Sequence, residues 1–170
     1  ATLQWHMDFV AQVFGAWDGA YAAALVRRFD LRPEQRIKGM SHGQRIKAAL
    51  LLALARRPTL LVLDEPTTGL DPVARQEVIG ALTDVVRDAG RSVLFSSQNT
   101  LDVEQIADRV NFIDRGRIID ADDTAAYLDR WRRLRLELAV PGVVPVLPHI
   151  VQTAMHGHVA TLVTDHYDEA

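Results

Sequence analysis

The sequence predicts an α/β fold with three parts: a helical N-terminal segment, a core of parallel strands alternating with helices, and a small α+β C-terminal extension. The clearest indication is the apolar run Leu60–Leu63, which is typical of a strand buried on both faces of a parallel sheet. A second apolar run, at 92–96, follows after one predicted helix and predicts another buried strand. Upstream of residue 58, apolar residues recur at helical spacing, so we expect helices there.

The first predicted domain, residues 1–57, is helical. The apolar positions that indicate its first two helices are Leu3, Met7, Val10, Phe14, Tyr21, Leu25, Val26 and Phe29. A break over 15–19 separates them, and Asp18 is suited to cap the second helix. A loop at Ser41-His42-Gly43 opens a third helix over about 44–57, which Pro58 ends.

The second predicted domain, residues 58–121, contains the two apolar strands. Pro72 is suited to the first position of a helix that runs to about residue 89. After the strand at 92–96 we expect a helix over about 101–108. A hairpin follows, with strands at 110–114 and 117–119 that turn at Arg115-Gly116.

The third predicted domain, residues 122–170, is a small accessory extension. The pattern predicts a short helix to about residue 131, a strand over 134–140, a linker at 141–148, and a hairpin over 150–164 that turns at His156-Gly157.

Composition limits the possible partners. With a net charge of −3 and an isoelectric point near 6.1, the chain lacks the basic balance of a general nucleic-acid binder. No apolar run approaches the ~20 residues that a membrane span needs, so a role at a membrane would require a partner protein.

Two carboxylates, Asp64 and Glu65, stand directly after the first predicted strand. Ligands of open α/β sheets bind at the C-terminal ends of strands. Adjacent strand residues point to opposite sides, so one carboxylate can hold Mg²⁺, directly or through water, while the other faces an attacking water. Alone this is a weak signal, because apolar runs ending in Asp-Glu are common strand exits.

The flanking motifs make the signal specific. Met40-Ser41-His42-Gly43-Gln44 precedes the strand, and Thr67-Thr68-Gly69-Leu70-Asp71 follows it. This order resembles the second half of an ABC-type ATPase: signature loop, Walker B strand and D-loop. The resemblance covers roughly residues 1–120. It implies a P-loop NTPase fold of the ABC-ATPase type, with 1–57 as the helical signature subdomain and 58–121 as the C-terminal half of the sheet core.

The signature loop is expected to bind phosphate through Ser41, His42, Gly43 and Gln44. A serine hydroxyl can donate to phosphate, a glycine lets the backbone approach, and the helix that starts at Gln44 directs its dipole at the anion. Read in isolation, the same residues would be an ordinary helix cap. The resemblance implies contact with ATP held by another subunit, and therefore a homo- or heterodimer. The usual pattern has glycine where His42 stands. Two interpretations of the His42 side chain are open: it contacts phosphate, or it is simply exposed at the surface.

The resemblance assigns Asp64 to Mg²⁺ and Glu65 to the general base for water. It places Asp71 at the dimer interface, although Asp71 could equally cap the helix that starts at Pro72. Gln98 occupies the position of the usual switch histidine. Its amide can touch a γ-phosphate or orient water but cannot take up a proton. An inert residue in a degenerate site is the alternative.

A P-loop motif, Gly-x-x-x-x-Gly-Lys-Ser/Thr, is absent: the two lysines, Lys38 and Lys47, each follow isoleucine. The first 18 residues resemble the start of the helical subdomain in bacterial export-type ATPase subunits. We therefore expect that the chain begins after the Q-loop, lacks the Walker A half, and is inactive by itself.

The resemblance implies an ATP-hydrolysing subunit of an ABC exporter that uses ATP and Mg²⁺. Such a subunit would lie in the cytoplasm, peripheral to the inner face of the cell membrane, and act with transmembrane permease subunits and no nucleic acid. A non-catalytic ABC subunit and a soluble non-transport ABC ATPase are the alternatives.

Overall fold

The computed structural model describes residues 1–140 and 147–167, so most of the predicted linker at 141–148 lies outside the described residues. The chain divides into two compact units, Ala1–Ile106 and Ala107–Ala170. The division into three domains at residues 57 and 121 stays a prediction. No helix in the described ranges combines the length and apolar character needed to cross a membrane.

The first unit contains five α-helices and two strands in its described residues. In chain order these are α1 (Leu3–Val13), α2 (Gly19–Arg28), a short 3₁₀ turn (Ile37–Gly39), α3 (His42–Leu54), β1 (Leu60–Leu63), α4 (Pro72–Val86), β2 (Ser92–Phe95) and α5 (Thr100–Ile106). The prediction of a helical segment before residue 58 is confirmed. The third helix lies about two residues earlier than predicted, because His42 and Gly43 already belong to it.

Local side-chain caps set the starts of these helices. Asp18 accepts a hydrogen bond from the Tyr21 backbone N–H, as predicted. Ser41 and Gln44 form a reciprocal capping box at α3. Asp71 accepts from two backbone N–H groups at the start of α4, and Pro72 occupies the first turn.

The core of the first unit lies among the helices and the inner face of the strands. Its fully buried side chains include Leu3, Leu25, Phe29, Leu51, Leu54, Val78, Leu82 and Val85. Ion pairs connect the helices at the edge of this core. Arg28 of α2 lies 2.5 Å from Asp84 of α4, and Lys47 of α3 lies 2.8 Å from Glu77 of α4.

The two strands of this unit pair in parallel, with Leu61 opposite Val93 and Leu63 opposite Phe95. The prediction that these strands are buried on both faces is wrong for the described residues. Leu61 is only 6% exposed, whereas Leu60, Val62 and Leu94 are 57%, 63% and 60% exposed. The reason is that packing covers one face of this two-stranded sheet and leaves the other, equally apolar face open.

The second unit is built from antiparallel strands. Its elements are β3 (Arg109–Asp114), β4 (Arg117–Asp123), α6 (Thr124–Arg130), β5 (Arg132–Glu137), β6 (Ile150–His156) and β7 (Val159–Thr164). The predicted hairpins are confirmed, with Gly116 and Gly157 at positive φ in their turns. Strand β4 runs to Asp123 rather than residue 119, across a bulge at Phe112/Ile113. Strands β5, β7 and β6 form a three-stranded sheet in that order.

Candidate functional site

The predicted carboxylates and the switch position lie at one edge of the β1–β2 sheet. Asp64 and Glu65 follow β1, and the segment 96–99 follows β2. Because the strands are parallel, their C-terminal ends meet at this edge. The fold therefore brings the Walker B-like carboxylates next to the loop that carries Gln98.

Ser96 joins these two loops directly. Its hydroxyl oxygen accepts a 2.9 Å hydrogen bond from the Glu65 backbone N–H, and the hydroxyl donates to Oδ1 of Asp64 at 2.5 Å. The Ser96 backbone N–H also continues the strand pairing, donating to the Leu63 carbonyl at 3.0 Å. Sequence reasoning did not assign Ser96 to the site. The only signal was a small hydroxyl residue at a strand end.

Glu65 adopts a left-handed backbone conformation with φ of 47°, which is uncommon for a residue with a side chain. Its carboxylate Oε2 accepts a 2.6 Å hydrogen bond from the Thr68 hydroxyl. Its carbonyl accepts from the Thr68 backbone N–H at 3.2 Å, which closes a tight turn. Glu65 is half-buried, whereas Asp64 is exposed. The two adjacent carboxylates thus occupy different environments.

A buried carboxylate fixes the loop that follows Glu65. Asp102 of α5 is 1% exposed; its Oδ2 accepts from the Thr67 hydroxyl at 2.6 Å. Its Oδ1 accepts from the Arg75 guanidinium of α4 at 2.7 Å. Charge-assisted hydrogen bonds of this kind satisfy a carboxylate that would otherwise be costly to bury.

The signature loop lies beside the D-loop. His42 Nε2 is 3.3 Å from the Thr68 carbonyl oxygen, to which it donates when that nitrogen carries the proton. A Cβ at Gly69 would lie 3.3 Å from the same His42 nitrogen, so the imidazole covers this glycine. A Cβ at Gly43 would meet Leu70 at 3.4 Å. The structure thus brings the predicted signature residues and the D-loop together.

Helix capping uses some of the polar groups that were predicted to bind phosphate. The Gln44 side-chain oxygen accepts from the Ser41 N–H at 2.9 Å, and Ser41 Oγ accepts from the Gln44 N–H at 3.2 Å. Among the described residues the Ser41 hydroxyl hydrogen has no acceptor, so it can still donate. Asp71 Oδ1 accepts from the N–H groups of Val73 and Ala74, so the capping role weighed for Asp71 is confirmed.

Gln98 is exposed in the loop after β2. Among the described residues, no hydrogen bond joins its side chain to Asp64 or Glu65. The loop itself is held by Ser97 and Asn99: the Asn99 N–H donates to the Ser97 hydroxyl at 3.0 Å.

The described residues contain no group of three or more His, Asp or Glu side chains that could hold a metal by themselves. Asp64 nevertheless suits Mg²⁺, because a carboxylate oxygen is a hard ligand and Mg²⁺ commonly keeps waters and phosphate oxygens in its remaining positions. Mg²⁺ at Asp64 would therefore take its remaining ligands from water or phosphate oxygens rather than from a cluster of the described carboxylates.

The resolved pKa shifts lie outside the site. The pKa of the Asp18 carboxyl is lowered by the Tyr21 backbone N–H and the Arg57 guanidinium. In the second unit, the hydrogen bond from Arg130 lowers the pKa of Asp120. Burial raises the pKa of the Tyr127 hydroxyl.

The fold of this chain is similar to that of a solved ATP-binding subunit. The solved structure of an ATP-binding subunit of an ABC transporter superposes with a TM-score of 0.64 at 25% identity, over 72% of this chain and 53% of that one. The chain has the fold of part of an ABC ATPase nucleotide-binding domain. That finding confirms the predicted fold class.

Sequence relatives point the same way. The daunorubicin resistance ATP-binding protein DrrA3 of Streptomyces coeruleorubidus is 41% identical over 111 residues, covering 64% of this chain and 34% of the relative. The thiamine import ATP-binding protein ThiQ of Rhizobium meliloti (strain 1021) is 37% identical over 91 residues, 54% of this chain and 38% of the relative. This chain is thus similar to ABC transporter ATP-binding proteins.

A protein-family profile described as "AAA domain, putative AbiEii toxin, Type IV TA system" matches residues 28–103. This range contains the signature loop, both carboxylates and Gln98. The chain spans less than half the length of the curated relatives it matches.

Proposed function

We propose that this chain is part of an ATP-hydrolysing subunit of an ABC transporter. The observation that carries the proposal is the Asp64–Glu65 pair at the C-terminal end of a parallel strand, tied by Ser96 to the loop that carries Gln98. The fold and the ABC transporter ATP-binding relatives support it.

In this proposal Glu65 is the general base. It accepts a proton from water as the water oxygen bonds to the γ-phosphorus and the bond to the β–γ bridging oxygen breaks. Asp64 holds Mg²⁺, which when bound would neutralise charge on the phosphates. Gln98 orients the water or the γ-phosphate through neutral hydrogen bonds.

The signature residues act on a second subunit. We infer that Ser41, His42, Gly43 and Gln44 face ATP held by the partner of a homo- or heterodimer. The free Ser41 donor and the N-terminus of α3 support an anion contact. Asp71, which caps α4, would also lie at the dimer interface and couple the two sites.

The phosphate cradle must come from a P-loop that this sequence lacks. The open apolar face of Leu60, Val62 and Leu94 supports a covering layer, which would be the Walker A half of the cassette. The chain matches only 34% of the length of DrrA3 and 38% of the length of ThiQ, which fits this arrangement. We expect the 170-residue chain alone to bind ATP-Mg²⁺ poorly and to hydrolyse none.

The class of relatives supports a role in transport. We propose transmembrane permease subunits as partners and a peripheral position on the inner face of the cell membrane. Export is the direction we propose, from the resemblance of the first 18 residues to export-type subunits. Relatives named for drug resistance and for thiamine import match about equally well. The direction of transport therefore needs its own test, a transport assay in vesicles that contain each permease.

The deciding test is Glu65→Gln in the complete subunit. An amide cannot accept the proton, so turnover should fall by about 10²-fold or more while ATP binding persists and ATP-bound dimers accumulate. Glu104→Gln, at an exposed position on α5, is the matched control. Turnover at the wild-type rate in Glu65→Gln would remove Glu65 from the catalytic role.

A non-catalytic subunit is the second candidate, and Gln98 at the switch position favours it. In that case ATP binding closes the dimer without turnover. A wild-type subunit that binds ATP and dimerises but releases no phosphate would support the non-catalytic alternative.

A further inference from the structure

Two neighbours, Ser96 and Thr68, bond all three polar groups of the residue proposed as the general base. The Glu65 backbone N–H donates to Ser96, its carbonyl accepts from the Thr68 backbone, and its carboxylate accepts from the Thr68 hydroxyl. A left-handed backbone persists in a residue of this kind only where its surroundings fix it. The hydrogen bonds with Ser96 and Thr68 fix the backbone of Glu65 in this way.

Thr68 is itself fixed from two directions. Its neighbour Thr67 is buried and bonded to Asp102, which is also bonded to Arg75. Its carbonyl lies 3.3 Å from His42 Nε2 at the start of α3. The Thr68 hydroxyl therefore stands at a set position relative to β1, α3 and α5.

The consequence for Glu65 concerns the direction of its carboxylate. A hydroxyl that donates to Oε2 limits rotation of the side chain and leaves Oε1 to face a water. A base must be aligned with the proton it removes, since small misplacements of catalytic groups cost large factors in rate.

We propose that Thr68 and Ser96 are positioning residues for Glu65: Ser96 fixes its left-handed backbone and Thr68 fixes its carboxylate. The inference rests on the proposed ATPase function and extends it to two residues outside the assigned site. Neither side chain needs to touch nucleotide.

The test uses the complete subunit and steady-state ATPase kinetics. Thr68→Val keeps the shape of the side chain and removes the hydroxyl. We expect kcat to fall about 10-fold with an unchanged KM for ATP-Mg²⁺, the scale of one lost hydrogen bond to a charged group. Thr68→Ser restores the donor and should restore most of the rate. Thr153→Val, on exposed strand β6, is the matched control.

A double-mutant cycle separates positioning from a general structural effect. If Thr68 acts through Glu65, Thr68→Val should cause no further loss in a Glu65→Gln background. Ser96→Ala should lower protection of the Glu65 amide from hydrogen exchange, measured on the same protein without nucleotide, and Ser96→Thr should retain it.

The outcomes distinguish this inference from the function on which it rests. If the wild-type subunit hydrolyses ATP and the Thr68→Val variant hydrolyses it at an equal or higher rate, the positioning role is overturned and the ATPase function still holds. An additive loss in the Glu65→Gln background does the same. Absence of turnover in the wild-type subunit overturns both.

Discussion

The Thr67 hydroxyl donates a 2.6 Å hydrogen bond to Oδ2 of Asp102, although 35 positions separate the two residues in the chain. Both residues are buried, and Asp102 is bonded to Arg75 through its other oxygen. The pair connects the loop after β1 to α5, the helix that begins two residues after Gln98. One carboxylate therefore anchors both loops of the candidate site.

Replacing Asp102 with Ala should destabilise the first unit strongly. The change leaves the partly exposed Arg75 guanidinium and the Thr67 hydroxyl without their acceptor, and a hydrogen bond to a charged group contributes ~1.5–3 kcal/mol. Urea denaturation would measure the loss. Asp114→Ala, at an exposed site in β3, should change the free energy of unfolding by less than ~0.5 kcal/mol. A loss below ~1 kcal/mol for Asp102→Ala would contradict the anchoring role.

The open face of β1 predicts a difference between the isolated chain and the complete subunit. In the 170-residue chain, Leu61→Ala should cost ~2–5 kcal/mol because Leu61 is in the core. Val62→Ala, two-thirds exposed, should cost less than ~1 kcal/mol there. In the complete subunit the Val62 cost should rise toward the Leu61 value, as seen by thermal or urea unfolding. An equally small Val62 effect in both proteins would mean that no layer covers this face.

Gln98 should contribute to turnover through hydrogen bonds alone. In the complete subunit, Gln98→Ala is expected to lower the ATPase rate about 10-fold, and Gln98→His should retain or raise it. The histidine variant should gain a pH dependence near the usual histidine pKa of about 6.5. The matched control is Gln105→Ala, at an exposed position on α5. Asn99 is unsuitable as a control because it holds the loop. Equal rates for wild type and Gln98→Ala would show that Gln98 is inert.

The second unit should lose stability in acid through Asp120. The hydrogen bond from Arg130 lowers the pKa of Asp120 below its ordinary value of 3.8. A carboxyl with a lowered folded-state pKa stabilises the fold above its unfolded pKa, and this contribution disappears as pH falls through the folded value. Asp120→Asn should therefore weaken the acid dependence of unfolding below about pH 4. Amide exchange in β3 and β4 would report it, with Asp129→Asn as the control.

The sequence predicted best what depends on neighbouring residues. Asp18 and Asp71 cap their helices because capping needs only a short polar side chain and the next three residues. The hairpin turns at Gly116 and Gly157 follow from the same local chemistry. The candidate carboxylates were found because a strand end has a local signature.

Contacts between distant segments could not be predicted in this way. Asp102 lies in the stretch Thr100–Ile106, whose pattern does not distinguish a buried carboxylate from a solvated one. The double role of Ser96 depends on the pairing of β1 with β2. The apolar run of β1 predicted burial on both faces, but burial also requires a second layer. The catalytic and binding roles of the site residues stay predictions.

The contact between His42 and Gly69 ties two motifs that are usually read separately. Gly69 has φ of 72°, and a Cβ there would lie 3.3 Å from the imidazole, a tight contact. A bulkier residue at 69 would be strained by this φ and would also have to shift the ring, and glycine at 42 would remove the second of these obstacles. Among relatives, the two positions should accordingly vary as a pair: a large side chain at one should accompany a glycine at the other. Such paired variation would record the packing between the signature loop and the D-loop in the sequences of relatives.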